Sequence, residues 1–323
     1  MSTPEIRLAT TGTSIITSTF ADAVSQVDGI RIEAVSSRDG ERAAAKAAEY
    51  GANWSGTYDE VLASPLIDAV YIASPNSAHH AQALRAIAAG KHVIVEKPAV
   101  TTEAAWAELV ERAREADVVL LEAMRTEYDP GMDLVRSLLA DLGPLRHASL
   151  RYEKQSSRYA KVLAGERVNM FDPALAGGAL NDLGVYCLHA MVMLFGVPDG
   201  LAAASVGVSS GVDGAGTVLA RYPGFVVDLS YSKISSSAIP SEIQGEAGTL
   251  VIDDLAAPRS LELVRIDGTR VRHDVEAPEN PLVHEVRRFA DLIASSGDAS
   301  ADQRLTGQTL QLIEEVRRVA PTV

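Results

Sequence analysis

Two periodicities divide the chain. In the first third, short β-branched and apolar runs at Ile6–Thr11, Ile30–Ser36 and residues 69–73, 93–95 and 118–121 read as strands. Ala-rich stretches at residues 14–27, 39–50, 78–89 and 102–115 read as helices between them. Strands that are apolar at nearly every position belong in a sheet covered on both faces, and strand–helix alternation makes that sheet parallel and doubly wound. Any ligand crevice then lies at the carboxyl ends of its strands. The pattern changes after about residue 140, where runs at 145–152, 203–208, 217–222, 225–231, 249–252 and 261–266 are separated by turn residues with few helices between them. That pattern predicts an antiparallel sheet. One helix, at 181–195 after Gly177-Gly178, interrupts it, and two more at 281–294 and 302–319 close the chain. The expectation is an α/β protein: a doubly wound parallel-sheet domain over residues 1–123, then an α+β domain with an open, mostly antiparallel sheet over 124–323.

Composition narrows the function. At roughly 150 residues per domain, 323 residues suit two domains. With 47% apolar and 22% charged residues the chain has globular rather than disordered composition. A formal charge of -14 argues against nucleic acid as a partner, which calls for clustered cations. A small phosphorylated cofactor is compatible with it, because helix N-termini and one or two cations hold phosphate locally. The lone Cys187 forms no intramolecular disulfide and no cysteine-rich zinc site, and a reducing, cytoplasmic setting fits it best. No basic segment followed by an apolar core opens the chain, and no apolar run is read as approaching the ~20 residues that span a bilayer. Export and membrane insertion are not expected.

Candidate chemistry sits at predicted strand ends. The first strand–helix turn, Gly12-Thr13-Ser14-Ile15, occupies the place of a dinucleotide phosphate loop with the glycine pattern reduced to Gly12-x-Ser14-x-x-Thr17. An ordinary glycine turn is the alternative. The second strand runs into Ser37-Arg38, where an NAD enzyme commonly places a carboxylate for the ribose 2′-hydroxyl; a cation there suits a 2′-phosphate and favours NADP, with NAD as a second cofactor. A solvated surface arginine is the competing reading. Ser74-Pro75-Asn76 and His79 follow a buried strand on its crevice side, and a structural role for His79 stays open, because His79-His80 lack the further ligands of a metal site. Glu96-Lys97-Pro98 places a lysine at the end of another buried strand, with extended geometry imposed by the proline. Asp182 and Tyr186 share one helical face at i, i+4 spacing, although Asn181 or Asp182 could simply cap that helix.

Taken together, Gly12-Thr13-Ser14, Ser74-Pro75-Asn76 with His79, Gly90-Lys91-His92-Val93 through Glu96-Lys97-Pro98, Glu122-Ala123-Met124, Gly177 through Tyr186, and Glu242 through Thr249 resemble the Gfo/Idh/MocA oxidoreductases over nearly the whole chain. The resemblance implies an N-terminal Rossmann domain, a C-terminal domain with an open, mostly antiparallel sheet, and homodimers or homotetramers built through that sheet. Tyrosine at Tyr186, where many members carry histidine, is similar to the dihydrodiol dehydrogenase, xylose dehydrogenase and glucose-fructose oxidoreductase branch. Ala9 and Ser14 depart from the usual glycines. The expected activity is NAD(P)-dependent hydride transfer to or from a secondary alcohol or carbonyl of a sugar, polyol or cyclic diol, without a metal. Tyr186 would exchange the hydroxyl proton, Lys97 would favour its phenolate, Asp182 would orient substrate and the Lys97 ammonium, and Arg125 would contact substrate. Gly12, Thr13, Ser14, Ile15, Ser37, Arg38, Ser74, Pro75, Asn76, His79, Glu96 and Lys97 would hold the coenzyme. No tyrosine has lysine four positions later and no G-K-[ST] occurs, which disfavours a short-chain dehydrogenase and a P-loop NTPase. A non-catalytic dinucleotide sensor on the same fold is the stronger rival.

Overall fold

The computed structural model describes residues 5–320. They form two compact units: residues up to Met124 together with Pro278–Gly307, and Arg125–Ala277 together with residues from Gln308 onward.

The first unit alternates β1 (Ile6–Thr11), α1 (Ile15–Val24), β2 (Ile30–Ser36), α2 (Gly40–Tyr50), β3 (Trp54–Gly56), α3 (Tyr58–Ala63), β4 (Ala69–Ile72), α4 (Asn76–Ala88), β5 (His92–Glu96), α5 (Glu103–Glu115) and β6 (Leu120–Ala123). All strands are parallel, in the order β3-β2-β1-β4-β5-β6. That order reverses direction between β1 and β4, and ligands of such sheets bind at this switch point. The strands are buried on both faces, as their unbroken apolar runs require: Leu8, Ala9, Val70, Ile72, Val93, Ile94 and Val95 have no exposure. Phe20 of α1 stacks on Tyr71 of β4 with ring centroids 3.6 Å apart. The helices start on side-chain caps where the sequence supplies them: Asp39 accepts from the Arg42 N–H, and Thr57 and Glu60 form a reciprocal capping box.

Residues 278–307 group with the first unit rather than with the second-unit strands that precede them in the chain. The reason is specific pairing. Asn280 Nδ2 donates to Thr19 O and Asp22 Oδ2 at 2.8 Å each, Trp106 Nε1 donates to Gln303 O at 2.9 Å, and Gln303 Nε2 donates to Leu120 O at 3.1 Å.

The second unit opens with α6 (Pro130–Leu138), capped by Asp129, and continues through β7 (Leu145–Glu153), α7 (Tyr159–Leu163) and α8 (Val185–Phe195). Seven more strands follow: β8 (Gly200–Gly207), β9 (Asp213–Tyr222), β10 (Phe225–Ser232), β11 (Ser241–Gly245), β12 (Gly248–Ile252), β13 (Ser260–Arg265) and β14 (Arg270–Asp274). They make one sheet in the order β14-β13-β12-β11-β7-β10-β9-β8, antiparallel except for the β7–β10 pair. One face is core: Ala148, Leu150, Val218, Ala220, Val227, Leu229, Ile243 and Leu250 have no exposure, and α8 packs on β7 and β10. The remaining helices are α9 (Val283–Ser295) and α10 (Ser300–Val319).

The expectation that no run is long and apolar enough to cross a bilayer needs correcting. The helical stretch Pro173–Phe195 qualifies by length and composition with a mean hydropathy of 1.3, but 78% of it is buried within protein. It is the core helix of the second unit, apolar because most of it is buried, with α8 packed on β7 and β10.

Candidate functional site

In the first unit the β1–α1 turn is built around Gly12. Its φ of +111° lies in the region that favours glycine, and a Cβ there would stand 2.5 Å from Ala73 O, so no other side chain fits without moving backbone. Thr13 and Ser14 follow, and Ser14 sits at the N-cap of α1 without a side-chain cap bond, its hydroxyl 3.3 Å from Thr17 Oγ1. Helix N–H groups left in this way are the usual anchor for a pyrophosphate. Ile15, the first helical residue, is 78% exposed. At the end of β2, Ser37 Oγ accepts the Asp39 N–H at 3.2 Å and Arg38 is exposed. The neighbouring carboxylate, Asp39, is occupied in capping α2.

Beyond β4, Ser74, Pro75 and Asn76 lead into α4 with intermediate burial. Ser74 Oγ donates to Gln82 Oε1 at 2.5 Å. His79 has no exposure; its Nδ1 lies 3.0 Å from Pro98 O and its Nε2 2.9 Å from Ser74 O. Burial pulls its pKa below the ordinary imidazole range, with the Lys97 charge a smaller push the same way and the backbone carbonyls opposing. The neutral ring donates to one carbonyl at a time. His79 therefore sits between two strand-end loops and hydrogen-bonds one of their carbonyls in each tautomer, which fits the structural alternative left open by its sequence. Glu96 is likewise an internal brace: its Oε1 accepts the Tyr71 hydroxyl at 2.6 Å in a buried setting. Lys97, at the end of β5, is half-buried.

In the second unit Tyr186 is 8% exposed on α8. Tyr152 of β7 meets its ring edge-on at 5.2 Å, and the Arg125 guanidinium lies 5.3 Å from its centroid while Nη2 donates to the Tyr152 hydroxyl at 3.0 Å. Arg125, expected from the sequence only as a substrate contact beyond the last parallel strand, meets both phenols with one guanidinium.

Asp182 does not cap the helix. It lies inside a π-helical turn, Leu180–Gly184, that precedes α8. The cap comes from afar: Asp213 of β9 accepts the Leu180 N–H at 2.6 Å, and Gly178, at φ +121°, lets the chain pass against that carboxylate. Burial raises the Asp213 pKa, opposed by these backbone donors and by Arg317. Freed from capping, the Asp182 carboxylate pairs with Lys233, a buried ammonium at the end of β10 that also lies 5.8 Å from the Phe171 ring. Lys233 and Tyr152 are the residues sequence reasoning missed. The available signal for Lys233 was the one used for Lys97, a cation just past a buried strand. Asn181, the other candidate cap, donates to Ala176 O at 2.8 Å and accepts from Arg317. Cys187 is fully buried and its thiol is pushed up by desolvation, so it packs as a small apolar group.

Comparison with known proteins gives the chain's family. Residues 6–124 match the description "Oxidoreductase family, NAD-binding Rossmann fold", and residues 134–251 match the "GFO/IDH/MocA C-terminal domain". The chain is 38% identical over 318 residues to scyllo-inositol 2-dehydrogenase (NADP(+)) IolU of Bacillus subtilis, covering 97% of this chain and 96% of that protein. It is 34% identical over 230 residues to trans-1,2-dihydrobenzene-1,2-diol dehydrogenase of Oryctolagus cuniculus, covering 68% and 67%. Among solved structures, KijD10, a 3-ketoreductase from Actinomadura kijaniata in complex with NADP and TDP-benzene, shares the fold with a TM-score of 0.90 over 99% of both chains at 22% identity. From its two matched domains and its full-length relatives, this chain belongs to the Gfo/Idh/MocA family of NAD(P)-dependent oxidoreductases.

Proposed function

We propose that this chain is an NADP-preferring dehydrogenase/reductase acting on a ring secondary alcohol or its ketone, in a polyol, sugar or related cyclic diol. The observation that carries the reading is the Tyr186 group, a nearly buried phenol flanked by a guanidinium and a second phenol; four residues earlier in the same helical segment Asp182 is paired with a buried lysine. The NADP(+)-dependent inositol dehydrogenase and the dihydrodiol dehydrogenase among its relatives support the substrate class.

The first unit fits a dinucleotide. Gly12 supplies the close backbone approach, Thr13, Ser14 and Ile15 the helix start, Ser74, Pro75 and Asn76 the second loop, and Ser37 with Arg38 the anchor for a 2′-phosphate. His79 and Glu96 act there by holding loops rather than by touching the coenzyme. When bound, the nicotinamide takes or gives the hydride. The chain's own residues manage the proton. Tyr186 exchanges it with the substrate hydroxyl, and the Lys97 ammonium favours the phenolate, so transfer proceeds near neutral pH. Asp182, oriented by its pairing with Lys233, accepts hydrogen bonds from substrate hydroxyls, and Arg125 contacts substrate on the Tyr152 side. The same reading includes self-association through the uncovered face of the eight-stranded sheet, and a reducing, cytoplasmic compartment for a chain whose lone thiol is buried.

The test is turnover of both coenzymes against inositols, aldoses and trans-dihydrodiols, followed by Tyr186→Phe. The variant is expected to lose about 10²- to 10⁴-fold in kcat with coenzyme affinity kept. Coenzyme binding with no turnover on any ring alcohol would establish the sensor instead, and near-wild-type turnover in Tyr186→Phe would move the proton to another group.

A further inference from the structure

We infer that Glu122 is a positioning residue for Lys97: together with His79 it grips both ends of the single peptide group that follows Lys97-Pro98. The inference rests on the reading of Lys97 as a catalytic group.

Glu122 lies on β6, opposite Val95 in the register that places Glu96 opposite Ala123. It is 2% exposed, in a strand whose neighbours Leu120 and Leu121 are equally buried. A carboxylate in such a place is a costly choice for packing alone and persists only where its oxygens are used. Here both are. Oε1 accepts the Ala99 N–H at 2.8 Å and Oε2 accepts the Thr306 hydroxyl at 3.1 Å. From the other side, His79 Nδ1 lies 3.0 Å from Pro98 O. The Pro98 carbonyl and the Ala99 N–H belong to the same peptide unit, so the plane of backbone one residue beyond Lys97 is held at its nitrogen by a buried carboxylate and, in the Nδ1–H tautomer of His79, at its oxygen by a buried imidazole. Upstream, the Glu96 side chain is fixed by the Tyr71 hydroxyl at 2.6 Å. Lys97 is thus the half-buried residue between two pinned neighbours. The backbone on either side of its Cα is held. Pre-organisation of this kind matters because displacing a catalytic group by about 1 Å costs on the order of 10²-fold in rate.

The test compares Glu122→Gln, Glu122→Leu and Glu122→Asp in the full chain. Four properties are read: exchange of the Ala99 amide, acylation rate of Lys97 by mass spectrometry, NADPH affinity, and kcat and KM on a ring alcohol that the wild type turns over. Gln keeps an oxygen for the Ala99 N–H and is expected to retain protection, with kcat within roughly 3-fold of wild type. Leu is expected to release the Ala99 amide to exchange, alter Lys97 acylation and lower kcat by about 10²-fold, with KM and NADPH affinity within roughly 3-fold. Asp keeps the charge but is one methylene short, and shows the same split to a smaller degree; it decides the matter where Leu does not fold. A folded Leu or Asp variant with unchanged Ala99 exchange and Lys97 acylation overturns the inference, as does one whose kcat stays at the wild-type value. A wild type inert on every ring alcohol defeats the proposed function instead, and Ala99 exchange with Lys97 acylation then decides the grip by themselves.

Discussion

Arg38 and Asp39 are neighbours with opposite duties. Asp39 caps α2, which leaves Arg38 as the charged group past β2 able to meet a ribose substituent. Arg38→Ala should therefore lower NADP affinity by about 10- to 100-fold, the worth of one charge-assisted contact, and leave NAD affinity nearly unchanged; titration of both coenzymes checks this, and equal losses would remove the argument. Lys233→Met strips Asp182 of its ammonium. Because Asp182 is 33% exposed, the cost in stability should be about 1–3 kcal/mol, less than for a wholly buried pair. KM for the polyol should rise several-fold, and Lys233→Arg should restore most of it. His79 and His92 carry a pH signature. Burial lowers both pKa values, and His92 Nδ1 accepts the Val119 N–H at 3.0 Å, a bond that protonation removes. The unfolded chain takes up these protons below about pH 6.5 while the folded chain resists, so stability is full above that pH and declines as pH falls. Thermal unfolding from pH 7 to 5 should show the decline, and His92→Gln, which does not titrate, should flatten it. At this scale the place of Lys97 just past a buried strand was legible, whereas the π-helical turn Leu180–Gly184, which interrupts the i, i+4 spacing of Asp182 and Tyr186, was not. The place of Lys233 just past a buried strand carried the same signal, whereas its pairing with Asp182 did not show, since that partner lies 51 positions away in the chain.

At the scale of elements, the β1–α1 turn is the one with least tolerance. Gly12→Ala forces a side chain toward Ala73 O at an unfavourable φ, and should cost about 1–3 kcal/mol of stability together with most coenzyme affinity; a variant with wild-type Tm and affinity would show that the turn adapts. The long parallel strands were readable because burial on both faces leaves unbroken apolar runs. Elements that escaped notice are short or carry mixed signals. β3 has three residues, and β14, Arg270–Asp274, is charged and contributes no buried residue to the core. α6 could have been found, because Asp129-Pro130 is a cap followed by a proline at the first helical turn. The start of α8 could not: its cap, Asp213, sits on β9, and local sequence says nothing of a carboxylate 33 positions ahead.

At the scale of the whole molecule, the open face of the eight-stranded sheet bears Val206, Leu219 and Val226, exposed by 43%, 51% and 38%, around a polar centre in which Asp228 receives Ser149 and His147, each at 2.7 Å. A partially apolar face of this kind calls for a cover. Light scattering at micromolar concentration should find an oligomer, and Leu219→Glu should shift it to monomer by placing like charges on facing copies; a wild-type monomer would refute the association. The two-domain organisation was legible in the change of period after residue 140, whereas the return of residues 278–307 to the first unit was not, since an amphipathic helix does not announce its docking partner. That return bears on how the chain is made. A nascent polypeptide emerging from the ribosome through Met124 has all six strands of the parallel sheet, yet Trp106 still lacks Gln303 and Glu122 still lacks Thr306. The coenzyme-binding half is translated first but finished nearly last, and a fragment ending at Met124 should prove a poor folder whose recovery depends on the segment supplied 150 residues downstream.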